Sequence, residues 1–170
     1  VLDLLKNFPL LAEVSIKIRK PSVPVDCICE HFAVEITDVA EDAYIALGGN
    51  LGDRIQRMRE ALDQLEAEGD IRIEEVSPVY NNPAVGLGNV PDFLNAVACV
   101  QTSLSPQELL RRCLSVEAVL GRVRSGQPTS RTIDLDLLLY EDVQLYTPSL
   151  QLPHPRIEQR EFVARPLMDI

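Results

Sequence analysis

The order of hydrophobic patterns from residue 43 onward constrains the fold more than any other feature of this 170-residue chain. Alternating apolar residues indicate strands, and apolar residues three and four positions apart indicate helices. Six such segments follow as strand, helix, strand, strand, helix, strand: Ala43–Leu47, a helix capped by Asp53, Ile71–Tyr80, Phe93–Thr102, a helix from Ser105 to about Leu120, and the segment after Arg131. This order predicts an α+β, ferredoxin-like βαββαβ domain, with an antiparallel sheet, both helices on one face and the functional site on the other.

Local signals indicate where these elements begin and end. The first strand is expected to break at Gly48–Gly49. Ser105–Glu108 is a capping box with proline at the first helical position, and Gly121 is expected to end the helix. Residues 81–91 predict a long loop rich in Gly, Pro and Asn, and a proline-rich tail follows from Pro148.

Asp134 and Asp136 share one face of the last predicted strand, because side chains alternate between the two faces. Two carboxylates about 7 Å apart are costly to bury without a partner, and Mg²⁺ is held in proteins by such carboxylates together with substrate phosphates. Residues 111–131 contain five arginines and one acid, Glu117, and Arg131 opens the aspartate segment. Guanidinium groups match phosphate geometry, so the region predicts metal-assisted phosphoryl transfer.

Composition excludes several other classes. The net charge of −10 argues against a nucleic-acid partner. No run approaches the roughly 20 apolar residues of a membrane span, and no signal pattern opens the sequence, so we expect a cytoplasmic protein.

Cys27 and Cys29 precede His31, but this spacing does not fit the usual zinc pairs. Cys99 and Cys113 are expected to be small buried hydrophobic residues.

Six stretches in order resemble the 6-hydroxymethyl-7,8-dihydropterin pyrophosphokinase family over residues 43–170. They are Ala43–Asp53, Ser77–Gly86, Pro91–Val97, Glu117 with Gly121–Arg124, Arg131–Asp136, and Leu152–Arg156 leading to Arg160 and Phe162. The resemblance implies a ferredoxin-like fold. It also implies a Mg²⁺-dependent transfer of pyrophosphate from ATP to the hydroxymethyl group of the dihydropterin, with release of AMP, in folate biosynthesis.

The resemblance also implies roles for individual residues. Two Mg²⁺ ions would be held by Asp134 and Asp136, and the transferred phosphates would be contacted by Arg122 and Arg131. Contacts with ATP are implied for Glu117, Arg124, His154 and Arg160. The pterin ring would lie between Phe93 and Phe162, for which core packing is the alternative. Its polar edge would be bound by Asn95 and by groups near Asn82, Pro83 and Val85.

Some positions depart from the family pattern. Gly49 stands where serine is usual, and we expect this change only to loosen the turn. The segment 125–130 lacks the usual Gly-Pro pair before Arg131. Asn82 replaces a common threonine, and Pro155 replaces an aromatic residue. The departures at 125–130 bear on how that segment would close over substrates.

The first part of the chain resembles the C-terminal end of dihydroneopterin aldolase, on Val14–Pro24 and Phe32–Ile36, with Lys20 at that enzyme's catalytic lysine. We therefore expect a truncated bifunctional fusion. Residues 1–38 would be a two-strand aldolase remnant, 39–42 a linker and 43–170 the pyrophosphokinase domain. Aldolase activity is not expected, and a complete aldolase part could form a homo-oligomer.

Two alternatives remain open on the sequence. One is another metal-dependent nucleotidyl or phosphoryl transferase on the same fold, since fold does not determine function. The other is a non-catalytic binding or assembly module. The predicted partners are small-molecule substrates, with no nucleic acid and no membrane, and the residues that distinguish the leading hypothesis are Asn95, Phe93 and Phe162.

Overall fold

A computed structural model describes residues 40–84, 90–123 and 129–170 of the chain. Several sequence predictions lie outside these residues. They concern the two-strand remnant at 1–38, Lys20, the cluster of Cys27, Cys29 and His31, and the single positions Val85 and Arg124.

The described residues form seven strands and three helices. The strands are β1 (Glu41–Gly49), β2 (Ile71–Val76), β3 (Tyr80–Asn82), β4 (Phe93–Thr102), β5 (Asp134–Tyr140), β6 (Leu145–Tyr146) and β7 (Gln151–Leu152). The helices are α1 (Arg54–Glu66), α2 (Pro106–Val119) and α3 (Glu161–Met168). In the part of the chain that the structure describes, no helix combines the length and apolar character needed to cross a membrane.

The main sheet has the order β2-β4-β1-β5, and β3 also pairs with β4. Every pairing within it is antiparallel. β6 and β7 form a separate two-stranded sheet. The predicted antiparallel βαββαβ arrangement is therefore confirmed.

Helices α1 and α2 cover one face of the sheet and enclose the main core. Ile45 and Leu47 of β1 are almost fully buried there with Leu65 of α1 and Leu109 of α2. The predicted caps are present: the Asp53 side chain accepts a hydrogen bond from the N–H of Gln56 at 3.0 Å, which begins α1. The predicted capping box opens α2 through Ser105, whose N–H donates to Glu108 at 3.0 Å.

The buried cysteine in this core behaves as a hydrophobic residue. Cys113 of α2 has no exposed surface, and burial raises the pKa of its thiol to about 12. Such a thiol stays protonated and unreactive. Cys99 of β4 is only half-buried, so the expectation of full burial holds for Cys113 alone.

The third helix was not predicted, and it lies on the opposite face of the sheet. Val163 of α3 is buried against Val97 of β4 and Leu138 of β5. The sequence indicated only a proline-rich tail, because Pro166 falls inside an eight-residue helix and masks its pattern. The second face is therefore covered in part by a helix instead of by loops alone.

One predicted strand is divided in the structure. Ile71–Tyr80 was expected to be continuous, but the chain leaves the ladder after Val76 and returns as β3. Pro78 lacks an N–H for pairing. The Ser77 hydroxyl, in a side chain that is 4% exposed, accepts a hydrogen bond from the N–H of Val97 at 2.9 Å and replaces part of the missing ladder.

Candidate active site

Three neighbouring strands place the predicted site residues on the sheet face opposite α1 and α2. Asn95 of β4 is in register with Gly48 of β1, and Gly48 is in register with Asp134 of β5. Two residues away along the same pair of strands, Ala46 of β1 is in register with Asp136 of β5. The small residues in the central strand leave a cavity of about 20 Å³ between the polar side chains. Its lining includes Asn95, Arg131, Asp134, Asp136, Arg160 and Phe162.

Two glycines at the end of β1 allow the backbones and side chains to approach closely. A Cβ atom on Gly48 would lie 3.1 Å from Asn95 Oδ1 and 3.9 Å from the Cβ of Asp134. A Cβ atom on Gly49 would lie 2.5 Å from the carbonyl oxygen of Thr132. The prediction that Gly49 merely loosens a turn is therefore wrong in this structure: both glycines lie inside β1, and Gly49 packs directly against a backbone carbonyl.

The two aspartates have different surroundings. Asp134 is 14% exposed at its side chain and pairs with two guanidinium groups, those of Arg122 and Arg131. The Nε of Arg131 lies 2.9 Å from Asp134 Oδ2, close enough for an ion pair but not aligned for a hydrogen bond. Asp136 is 38% exposed at its side chain, and its Oδ2 lies 3.8 Å from Nη1 of Arg160. The sequence-predicted carboxylates and arginines are therefore neighbours in space.

Glu117 of α2 holds the aspartate strand from the core side. Its side chain is 1% exposed, and its Oε1 accepts hydrogen bonds from the N–H of Leu135 and from Nη1 of Arg122, each at 2.8 Å. Leu135 stands between the two aspartates. Glu117 thus fixes both Arg122 and the backbone from which Asp134 and Asp136 project. The contact with a nucleotide implied for Glu117 by the sequence stays a prediction.

Each of the two phenylalanines predicted to bind the pterin lies beneath an arginine. The guanidinium carbon of Arg131 is 5.0 Å from the ring centre of Phe93, and that of Arg160 is 5.7 Å from the ring centre of Phe162. Phe162 is 37% exposed, so it is not a core residue. Burial lowers the pKa of both guanidinium groups, and neighbouring positive charges lower them further. The two cations remain charged, because an arginine pKa stays far above 7.

A larger cavity of about 440 Å³ lies between α2 and the segment that carries β7. Asp136 lines both this cavity and the smaller one. The larger cavity also contains His154 and Arg156. The Nδ1 of His154 accepts a hydrogen bond from the N–H of Arg156 at 3.2 Å. Burial lowers the pKa of His154, so the ring is neutral at pH 7 with its proton assigned to Nε2.

The described residues contain no group of three or more His, Cys, Asp and Glu side chains that could hold a metal alone. Mg²⁺ does not require one, because it is commonly bound by one or two carboxylates and substrate phosphates. Asp134 and Asp136 supply hard oxygen donors on one sheet face, next to arginines that suit phosphate. The residues present therefore fit Mg²⁺ with a polyphosphate substrate.

Two amide groups at the edge of the site lack hydrogen-bond partners among the described residues. These are the buried Nδ2 atoms of Asn82 and Asn95. Asn82 of β3 is in register with Phe93 of β4, which brings both close to the predicted pterin site. Pro83 follows directly and is exposed. Buried donors without partners in the protein are suited to a polar ligand.

Sequence reasoning missed three features of this site. It gave no role to Asn50, which is 1% exposed and bonds to the segment before Arg131. It did not anticipate that Gly48 provides space between Asn95 and Asp134. It did not predict helix α3, which carries Phe162 over the sheet. For Asn50 and Gly48, the available signal in the sequence was an asparagine directly after two glycines.

The fold and the site are those of a phosphate-transferring enzyme: an antiparallel sheet carries two carboxylates, three arginines from the segments around it pair with them, and a cavity lies beside them. A family model described as 7,8-dihydro-6-hydroxymethylpterin-pyrophosphokinase (HPPK) matches residues 44–170. The chain belongs to this family.

Individual relatives agree with this result. A 2-amino-4-hydroxy-6-hydroxymethyldihydropteridine pyrophosphokinase of Aquifex aeolicus is 42% identical over 75% of this chain and 78% of the relative. The protein of the same name in Bacillus subtilis is 41% identical over 75% of this chain and 77% of its own length. The folic acid synthesis protein fol1 of Schizosaccharomyces pombe is 36% identical over 93% of this chain. The chain spans only 24% of that relative.

Proposed function

We propose that this chain transfers the pyrophosphoryl group of ATP to the hydroxymethyl group of 6-hydroxymethyl-7,8-dihydropterin, releasing AMP, as a Mg²⁺-dependent step of folate biosynthesis. The observation that carries the proposal is the row formed by Asn95, Gly48 and Asp134 across three strands. In this row, Asn95 supplies an amide donor for a flat polar ring. Asp134, on the other side of Gly48, supplies a carboxylate for a metal. Family membership and the names of the relatives supply the substrate class.

The larger cavity is the proposed site for ATP. Its volume of about 440 Å³ lies within the range of small-molecule sites, and Asp136 lines both it and the smaller cavity. His154 would donate from Nε2 to a phosphate oxygen as a neutral group, and Arg160 would bind a phosphate beside it. Contacts of Arg124 and Glu117 with the nucleotide remain predictions from the sequence.

Two Mg²⁺ ions would be held by Asp134 and Asp136. When bound, Mg²⁺ neutralises phosphate charge and orients the reacting oxygens. The remaining work belongs to the protein. Arg122 and Arg131 would stabilise charge on the transferred phosphates, with Arg122 held in place by Glu117. No covalent intermediate with the protein is needed, since positioning and charge stabilisation are sufficient.

The pterin would be bound beside Asn95, with its flat ring between Phe93 and Phe162. Both rings now lie beneath arginines, so binding would require Arg131 and Arg160 to turn from the aromatic faces toward phosphates. The Nδ2 of Asn95, which has no hydrogen-bond partner among the described residues, supports this placement. Groups near Asn82, Pro83 and Val85 are proposed to bind the rest of the polar edge.

We also propose that residues 1–38 are an aldolase remnant, 39–42 a linker and 43–170 the pyrophosphokinase domain. The relative from Schizosaccharomyces pombe supports this division, because its similarity extends over 93% of this chain while the family model begins at residue 44. A cytoplasmic location and assembly through a complete aldolase part remain predictions.

The direct experiment mixes the protein with ATP, Mg²⁺ and 6-hydroxymethyl-7,8-dihydropterin and separates the nucleotides formed. The expected result is AMP in an amount equal to the pterin diphosphate. Formation of ADP, or AMP that appears without the pterin, would contradict the proposal. A thermal-shift measurement with the pterin and a non-hydrolysable ATP analogue separates this function from that of another phosphoryl transferase, which would not respond to the pterin.

A further inference from the structure

Asn50 uses its buried side chain to join three segments of the chain. Asn50 directly follows β1, and its side chain is almost fully buried. Its Nδ2 donates to the carbonyl oxygen of Pro91 at 3.1 Å and to the hydroxyl of Ser130 at 3.0 Å. Its Oδ1 accepts a hydrogen bond from the N–H of Arg131 at 2.8 Å. One amide group thus connects the end of β1 with the entry to β4 and the entry to β5.

The backbone of Arg131 is held from both sides. In addition to the bond from its N–H, its carbonyl oxygen accepts from the N–H of Asn50 at 3.0 Å and from that of Leu51 at 3.2 Å. The contact between Gly49 and the Thr132 carbonyl packs the same two segments tightly together. With both backbone groups of Arg131 bonded, the point from which its side chain extends is fixed, and the guanidinium can move only by rotation within that side chain.

The other end of the Asn50 bridge controls Phe93. Pro91 lies two residues before Phe93, the first residue of β4. The guanidinium of Arg131 stands 5.0 Å from the Phe93 ring centre and pairs with Asp134. Asn50 therefore holds both sides of the contact between the proposed phosphate-binding arginine and the proposed pterin-binding ring.

We propose that Asn50 is a positioning residue for pyrophosphoryl transfer, which holds the backbone segments of Arg131 and Phe93 at a fixed separation so that phosphate and pterin meet in register. It acts through these two residues and does not touch the reacting atoms. The inference rests on the proposed function, because the effect assigned to Asn50 is an effect on that reaction. The physical basis is that small displacements of a positioned group cost much of the rate.

The kinetic test compares Asn50→Ala with a matched variant, Thr102→Val. Thr102 is also 1% exposed and makes two hydrogen bonds, but at the opposite end of β4 from Phe93. At a temperature where circular dichroism shows both variants folded, Asn50→Ala should lower kcat by about 100-fold. KM for ATP and for the pterin should stay within about threefold, because positioning acts on the transition state. Thr102→Val should keep the kcat of the unaltered protein.

A double-mutant cycle tests whether Asn50 acts through Arg131. Added to Arg131→Ala, the Asn50→Ala change should cost less than about threefold in kcat, since its target is already gone. Ser130→Ala should show a smaller loss than Asn50→Ala, because it removes one of three side-chain bonds. Full additivity of Asn50→Ala and Arg131→Ala would overturn the inference.

A readout without activity separates this inference from the proposed function. The Nε–Hε resonance of Arg131, assigned by its loss in Arg131→Lys, should shift or broaden in Asn50→Ala and remain unchanged in Thr102→Val. If the unaltered protein forms no AMP, the proposed function fails while the resonance still reports on positioning. An unchanged Arg131 resonance in Asn50→Ala would refute the positioning role even in an active enzyme.

Discussion

Glu117 accepts a hydrogen bond at 2.8 Å from the backbone N–H of Leu135, the residue that separates the two aspartates of the site. The same carboxylate oxygen accepts from Arg122. One buried acid on α2 therefore determines where Asp134 and Asp136 stand and where Arg122 points. The site face and the core face of the sheet are coupled through this single side chain.

Replacing Glu117 by alanine should destabilise the protein by about 3 kcal/mol, because it leaves the Leu135 N–H without its acceptor and removes one of the two carboxylates that pair with Arg122 among the described residues. Glu117→Gln keeps an acceptor for Leu135 and should cost only about 1 kcal/mol. Urea denaturation followed by circular dichroism gives both free energies of unfolding.

Glu66→Ala is the matched control for this prediction. Glu66 also lies on a helix and accepts a strand N–H, from Ile73 at 2.8 Å, but it is exposed to solvent. Its loss should cost less than about 1 kcal/mol, since water can replace the contact. Equal losses for Glu117→Ala and Glu66→Ala would show that burial of Glu117 has no special role.

The fold was predictable because each signal was local. Periodicity and caps at Asp53 and Ser105 require only neighbouring residues, and these predictions are confirmed. Helix α3 was not predicted because Pro166 interrupts its short hydrophobic pattern. The helix is stabilised by the packing of Val163 on the sheet. The break after β2 had a local signal in Pro78, but the hydrogen bond that replaces part of the ladder there joins Ser77 and Val97, twenty residues apart, which no local pattern records.

The site residues divide in the same way, into those with a local sequence signal and those that depend on distant contacts. The position of Asp134 and Asp136 on one face was evident from strand alternation. The strand register places Asn95 and Asp134 on either side of Gly48. The positions of Arg131 and Glu117 depend on contacts between segments distant in sequence. The sequence could name these residues through resemblance, but it could not reveal that Glu117 faces the core.

Asn95→Ala should weaken pterin binding by about 5-fold to 150-fold, the range expected for the loss of a buried hydrogen bond of ~1–3 kcal/mol. The Nδ2 of Asn95 is buried without a partner among the described residues, so a ligand would satisfy it. Affinity for an ATP analogue should change less than about twofold, because Asn95 does not line the larger cavity. Calorimetric titration of pterin in the presence of the analogue measures the first affinity, and titration of the analogue into the free protein measures the second.

Asn81→Ala provides the comparison for Asn95→Ala. Asn81 is an exposed residue of β3 whose amide donates to Asp92 at 3.0 Å. Its removal should leave pterin affinity within about twofold, as is usual for exposed sites. Similar losses at the two positions would argue against a specific hydrogen bond between the Asn95 amide and the pterin.

Removal of Arg131 should strengthen metal binding in the absence of nucleotide. Arg131 pairs with Asp134, so a metal must compete with a positive charge for that carboxylate. Arg131→Ala should raise the affinity for Mn²⁺, used as a spectroscopic substitute for Mg²⁺, by about threefold or more, while kcat falls. Electron paramagnetic resonance of free Mn²⁺ measures the binding.

Arg131→Lys separates charge from shape in this experiment. It keeps the positive charge beside Asp134, so Mn²⁺ affinity should stay close to that of the unaltered protein. It loses the planar fork that matches phosphate, so kcat should still fall. A rise in Mn²⁺ affinity in Arg131→Lys equal to that in Arg131→Ala would show that charge competition at Asp134 is not the cause.

His154 should make the folded protein less stable in mild acid. Burial lowers the pKa of its ring, with Arg160 and Arg156 acting in the same direction and Asp136 opposing them. Below the unfolded pKa of about 6.5, the unfolded chain gains a proton at this ring before the folded chain does. The stabilisation is therefore complete above about pH 6.5 and is lost as the pH falls through the folded pKa.

The measurement compares the free energy of unfolding at pH 7.5 and pH 5.5 for the unaltered protein and for His154→Gln. Because every other group titrates in both proteins, the difference between the two pH dependences isolates His154. The unaltered protein should lose more stability on acidification than His154→Gln. An identical loss in both would mean that the ring accepts a proton as readily in the folded chain as in water, which would remove the basis for a neutral His154 beside the proposed ATP site.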